Sequence, residues 1–274
     1  MTAKPDLASI LADLAAEHDD LDRIVAPLDA AAWEAPTPSE GWAVRDQIGH
    51  LAYFDREAVR ALTDPDGFSA GLADLLVDPV GWMERSVDEG RALAAPDLLR
   101  VWRERRATLL DASRDLDPAA RIPWYGPPMS ALSFLSARLM ETWIHGQDVA
   151  DALGVERVPT ARLRHVAHIS VRARGFNYSQ HGKELPDREV RVELAAPDGE
   201  VWTWGPQDAT DRVSGDAEEF CLVTTQRRHL ADTDLSVEGE LAREWMAIAQ
   251  AYAGPPGPGR RPGQFPKRGA VRQA

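Results

Sequence analysis

The chain has 274 residues, 44% of them apolar and 27% charged, and a formal net charge of −13. That length allows two domains with real cores, and the acidic balance excludes a nucleic-acid or anionic-membrane surface, since both polyanions need a basic patch. Cys221 is the one cysteine, which rules out an internal disulfide and a cysteine-held zinc or iron–sulfur centre built by one chain.

The first residues, Met1 to Asp6, lead into an amphipathic stretch rather than a charged segment followed by a continuous apolar run, so no signal peptide is expected. No window reaches the roughly 18 uninterrupted apolar residues of a membrane span. With a single cysteine, the expected location is a reducing compartment, the cytoplasm.

Residues 6 to 30 place Leu7, Ile10, Leu14, Leu21 and Val25 at three- and four-residue steps, which predicts a helix with one buried stripe. His18 falls in that stripe, as a packed core residue or as a neighbour of a site. Pro36, Pro38 and Gly41 interrupt the pattern, and Ser39 or Glu40 starts a second helix from Trp42 to about Leu62. Its buried stripe runs through Val44, Ile48, Leu51 and Val59, with His50 at the edge beside Phe54. Asp55 lies inside the stripe, where a carboxylate costs several kcal/mol unless it is paired. It either orients a ligand or marks a rotation of the helix.

Pro65, Asp66 and Gly67 read as a loop. A helix follows over 69–94 through Leu72, Leu75, Leu76, Val80, Met83 and Val87, with a break at Pro79. Another runs from Pro96 to Leu116. Ile122-Pro-Trp-Tyr-Gly-Pro-Pro-Met129 reads as a rigid aromatic loop, either the rim of a pocket or ordinary packing.

The next stretch organises the chain. Across Leu132–Leu153 a helical projection puts Arg138, Glu141, His145 and Asp148 in a narrow polar stripe. Leu135, Leu139, Trp143 and Ala150 lie opposite, and Met140, Ile144 and Val149 flank the stripe. A helix apolar almost all round is a buried one, so its stripe lines an internal site or forms a salt-bridged face. Glu141 and His145 stand one turn apart, which is half of a metal site. Gly154 is placed to end the helix.

Beyond it, a helix from about Thr160 to Gln180 carries Arg162, Arg164, His165, His168, Arg172 and Arg174, a solvated face or a meeting point for anionic groups. The period then changes to two. Glu189–Leu194 and Glu200–Trp204 flank the turn Ala196-Pro-Asp-Gly199 as a β-hairpin. A short strand at 211–215 and helices over 216–229 and 242–252 complete a small α+β domain. The Gly, Pro and Arg-rich stretch from Gly254 to Ala274 holds no acidic residue and reads as disordered. The domains expected are 1–156, 157–253 and the basic tail 254–274.

Gly41-Trp42-x-Val44-Arg45, continuing to His50 and Asp55, followed some ninety residues later by Glu141-x-x-x-His145-Gly-x-Asp148, resembles the mycothiol-dependent maleylpyruvate isomerase family. The likeness covers about the first 155 residues. It implies a DinB-like four-helix bundle, so the whole chain is expected to be mainly α, with the small α+β domain and the tail following. It also implies that His50, Glu141 and His145 bind a divalent metal, zinc, and that mycothiol is the thiol cosubstrate. Asp148, Asp55 and His18 are candidates for supporting that site from behind the ligands.

Two imidazoles and one carboxylate leave a zinc coordination position open. The resulting expectation is a zinc- and mycothiol-dependent transferase or isomerase acting on a small electrophile. The competing expectation is a metal-binding bundle that serves as a binding or stress-response module, with His18 as the fourth ligand that closes the site. The chain as a whole is also similar to actinobacterial proteins sometimes labelled with a wyosine base formation domain. The radical chemistry of that pathway needs a cysteine-held cluster that one cysteine cannot build, so no activity is carried over.

Overall fold

The computed structural model describes residues 6–77 and 79–265, without the side chains of 73–80, 82 and 83. The chain divides into two compact units, Met1–Arg157 and Val158–Ala274.

In the first unit α1 spans Leu7–Val25, α2 Ala30–Trp33, α3 Val44–Thr63, α4 Pro65–Val77, α5 Pro79–Arg91, α6 Ala95–Ala112 and α7 Ala131–Leu153. Helices α1, α3, α6 and α7 form the bundle, and α4 and α5 lie against α3. Leu21 and Val25 of α1, Ile48, Leu51 and Ala52 of α3, Leu98 and Trp102 of α6 and Val149 of α7 share one core. Burying each larger side chain contributes about 1.5–3 kcal/mol.

Local chemistry sets the helix ends. Asp6 accepts from the Ser9 backbone N–H at 2.8 Å to start α1. Gly154 takes φ +65° to end α7, a conformation that favours glycine. Helix α3 begins where Asp46 Oδ2 reaches back to the Ala43 N–H at 2.9 Å, and Arg91 at the end of α5 grips both oxygens of Asp46 at 2.8 and 3.2 Å.

Two elements of this unit differ from expectation. Pro65 opens α4 instead of lying in a loop, because Asp64 accepts from the Gly67 N–H at 3.0 Å and caps a helix that can take proline in its first turn. The break at Pro79 is present as the start of α5. The expected packing of Leu75, Leu76, Val80 and Met83 falls outside the described side chains. The aromatic segment is a short antiparallel hairpin, β1 Arg121–Trp124 and β2 Gly126–Ser130, whose register slips between Ile122 and Trp124. Pro123 stands at that slip, where it has no N–H to leave unpaired. Trp124 stacks on Phe68 with ring centroids 5.5 Å apart.

In the second unit α8 spans Leu163–Arg172, α9 Arg174–Gln180, β3 Val190–Ala195, β4 Val201–Trp204, β5 Asp211–Asp216, α10 Ala217–Thr224, β6 Ser236–Glu238 and α11 Glu240–Ile248. The sheet order is β4-β3-β5-β6, with β3 and β5 parallel and the outer pairs antiparallel. The helix expected over 160–180 is two helices that meet at Ala173. The one expected over 216–229 stops at Thr224, just before Gln226, which adopts φ +60°.

Residues 254–265 contain no helix or strand. Within them the Gly263 N–H donates to Asp232 at 2.7 Å, and Phe265 lies 4.1 Å beneath the Arg228 guanidinium. The remainder of the expected tail, 266–274, lies outside the described residues.

Candidate metal centre

Helices α3 and α7 pack against each other inside the first unit, and their inward faces bring His50, Glu141 and His145 together. One ligand atom from each lies within 4.8 Å of the other two. His145 Nε2 is 3.4 Å from Glu141 Oε2, close to the edge of a tetrahedron whose arms are the roughly 2.1 Å of a zinc–ligand bond. The two imidazole rings are buried, with centroids 4.5 Å apart. Trp42 stacks on His145 at 6.0 Å and leans on His50 at 5.1 Å. Apolar walls of this kind keep water off a centre and strengthen charge interactions inside it.

The tautomer of His145 follows from a chain of hydrogen bonds. The Trp42 carbonyl can only accept, so Thr37 Oγ1 donates to it at 2.9 Å. Thr37 Oγ1 in turn accepts from Gln47 Nε2 at 2.9 Å. That turns Gln47 Oε1 toward His145 Nδ1, 2.5 Å away. Nδ1 is therefore the protonated nitrogen of the neutral ring, and Nε2 presents its lone pair beside Glu141. This is the form a metal ligand needs.

His50 Nδ1 is 3.0 Å from Ser86 Oγ, which leaves Nε2 for the same centre. Ser86 reaches it because α5 lies backbone to backbone on α3. A Cβ added at Gly90 would come within 2.8 Å of Gly49 Cα, so only glycine fits that crossing.

Asp148 accepts from Ser39 Oγ at 3.0 Å, tying the segment ahead of α3 to α7. Asp55 bonds to Arg138 at 2.9 Å and to none of the three. His18 is buried in the bundle outside the three-residue group, with neither ring nitrogen bonded among the described residues. Burial lowers its pKa to about 4. The residues that touch the two histidines, Gln47 and Ser86, are absent from the sequence reading. Gln47 carries a faint signal, since it stands three residues before His50 on the same helix.

Along α3 from His50, Phe54 packs on it at 4.5 Å and meets Tyr125 at 5.6 Å. Tyr125 then lines a cleft of about 300 Å³ with Tyr53, Arg56, Glu57, Arg60 and Arg85. In the second unit, two members of the basic cluster on α8 lie against β4: Arg164 sits over Trp202 at 6.0 Å, and Trp204 Nε1 donates to His168 Nδ1 at 3.2 Å. Cys221 is fully buried, and burial pushes its thiol pKa well up. It is not a nucleophile. Among the described residues no helix is long and apolar enough to cross a membrane.

A family model described as the mycothiol maleylpyruvate isomerase N-terminal domain matches residues 14–150, and one described as wyosine base formation matches residues 186–237. Two uncharacterised proteins from two strains of Mycobacterium tuberculosis are each 46% identical over 255 residues, covering 93% of this chain and 99% of theirs. The crystal structure of the mycothiol-dependent maleylpyruvate isomerase and that of a histidine-to-alanine mutant align with a TM-score of 0.57, at 18% and 17% identity, over 83% of this chain and 93% of that one. At such identity the likeness is one of fold.

Proposed function

Because the chain belongs to the mycothiol maleylpyruvate isomerase family, we propose that it is a zinc-dependent, mycothiol-dependent transferase or isomerase that acts on a small electrophile in the cytoplasm. The observation that carries this reading is the convergence of His50, Glu141 and His145, with ligand atoms within 4.8 Å of one another. Three protein ligands of this kind are the donor set of a centre that keeps a position open. Bound zinc would supply a Lewis acid that favours the thiolate form of an external thiol near neutral pH.

This chain's own residues do the rest. Gln47 and Ser86 hold the imidazoles in place, and Trp42 and Phe54 exclude water from them. Glu141 adds one negative charge, which offsets part of the metal's charge and leaves room for one anionic sulfur. The cleft beyond Phe54 is the place for the polar, non-reacting part of the electrophile. The thiol must come from outside, since the Cys221 thiol is sealed in the second unit. The same burial and the single cysteine oppose reading the wyosine match as radical chemistry.

Cobalt makes the test visible. The cobalt-substituted protein, titrated with mycothiol, should develop a sulfur-to-cobalt charge-transfer band with release of a proton, and Glu141→Gln should weaken it. No band at saturating thiol would sink the transferase reading in favour of a non-catalytic metal-binding module.

A further inference from the structure

The interior of the first unit holds a second polar cluster that the metal centre does not use. Asp55 and Arg138 form an ion pair whose side chains are 1% and 4% exposed, joined by a single bond from Arg138 Nη2 to Asp55 Oδ1. Asp55 Oδ2 and Arg138 Nε have no partner among the described residues, and neither do His18 Nδ1, His18 Nε2 or Trp102 Nε1. His18 stands edge-on to Trp102, with ring centroids 6.2 Å apart at 88°. It also feels the charges of Asp55, Arg106 and Arg138. Five unbonded polar atoms thus lie on four side chains, one from each helix of the bundle: α1, α3, α6 and α7.

Buried polar atoms in folded proteins are nearly always bonded, so a concentration of exceptions points to something that bonds them. Charge and donor count identify its class. The charges of Asp55 and Arg138 cancel, Arg106 over the Trp102 ring is paired with Asp22 at 2.7 Å, and His18 is neutral, so neither a cation nor an anion gains by entering. The donors outstanding are the Trp102 Nε1–H, the Arg138 Nε–H and one ring N–H of His18. The acceptors outstanding are Asp55 Oδ2 and the other His18 nitrogen. A small neutral molecule that donates and accepts equally matches this set, and water does so in buried sites of two to four polar partners.

We propose that His18, Asp55, Trp102 and Arg138 enclose a buried water site that links the four helices of the bundle and makes His18 a positioning residue for the metal centre. The route is short. Asp55 lies five residues after His50 on α3, and Arg138 three before Glu141 on α7, so the braced pair sits about one turn from the ligands on both helices. The positioning half rests on the metal reading, whereas the water site does not.

The test has two arms. A high-resolution crystal structure of the full chain should contain ordered water within about 3.2 Å of at least three of the five atoms. Direct bonds among the four side chains, with no water between them, would overturn the site whether or not the protein binds metal.

In the second arm, zinc affinity is measured by chelator competition. His18→Phe should lower it about tenfold, the lower end of losses seen behind metal ligands, and His18→Gln, which can still bond water, should restore most of it. Trp102→Phe, which removes one donor and keeps the volume close, serves if His18→Phe fails to fold, and it should lower affinity by a smaller factor. Wild-type affinity in the phenylalanine variants, or no zinc binding by the wild type, overturns the positioning role alone.

Discussion

The bundle holds two clusters of carboxylate and imidazole. Around His145, two rings and Glu141 face one another, each ring bonded through one nitrogen to a neutral partner, Gln47 or Ser86. Around His18, one ring and Asp55 share the interior with Arg138, whose guanidinium is bonded to the carboxylate. The residue types are nearly the same, yet only the first cluster suits a metal. In the second, Arg138 already supplies the counter-charge that an ion would bring, and a further cation would be repelled. The position of one arginine decides which carboxylate is available.

The sharpest way to separate the clusters is to delete one imidazole from the first. His50→Ala should reduce bound metal from about one ion per chain to near none by elemental analysis, because two remaining ligands hold zinc poorly. Retention of the ion would move the centre elsewhere.

Breaking the ion pair of the second cluster should show first as a loss of stability. Arg138→Met leaves Asp55 charged and buried without its partner, and equilibrium urea unfolding should record a loss of about 3–5 kcal/mol. The double variant Arg138→Met, Asp55→Leu should regain most of it. If it regains none, the ion pair is not what makes the single variant unstable.

A third comparison uses pH. Burial holds the pKa of His18 at about 4 when folded, against 6.5 for a free side chain. The folded chain therefore resists a proton that the unfolded chain accepts. This contribution to stability is fully present above pH 6.5 and is lost as pH falls toward 4, by about 3 kcal/mol for a shift of this size. His18→Phe should flatten that part of the stability–pH curve, as followed by urea unfolding at a series of pH values. An unchanged slope would mean that His18 takes up a proton as readily in the folded chain as in the unfolded one.

Smaller effects come from the partners of the two ligand rings. Gln47→Met and Ser86→Ala should each weaken zinc binding roughly 10–100-fold with little change in unfolding free energy. A drop in stability without a change in affinity would make these bonds structural. At the bottom of the scale, His165→Ala and His168→Ala should leave metal content unchanged, since both lie on α8 in the second unit.

Several features of the first unit are legible along the chain. The stripe Arg138, Glu141, His145, Asp148 on an otherwise apolar helix marks α7 as buried, and fifteen of its residues are buried, from Ala131 to Ala150. Gly154 marks its end. The paired motifs around His50 and Glu141 identify the three residues that the fold gathers. In the second unit, the change of period and the turn at 196–199 mark the hairpin of β3 and β4. The hairpin of β1 and β2 was hidden, because its prolines argue against a strand and pair only at the edge of a two-stranded sheet.

By itself the sequence determined which face of each long helix turns inward, because 100° per residue is a local property that depends on no partner. Only the tertiary structure decided which inward-facing groups meet. Gln47 bonds a ring 98 positions away, Asp55 an arginine 83 positions away, and Ser86 reaches His50 across 36 positions. Each of those meetings depends on how closely two helices approach and at what angle. At Gly49 and Gly90 that approach is set by the absence of two side chains, whose effect appears only once both helices are in place.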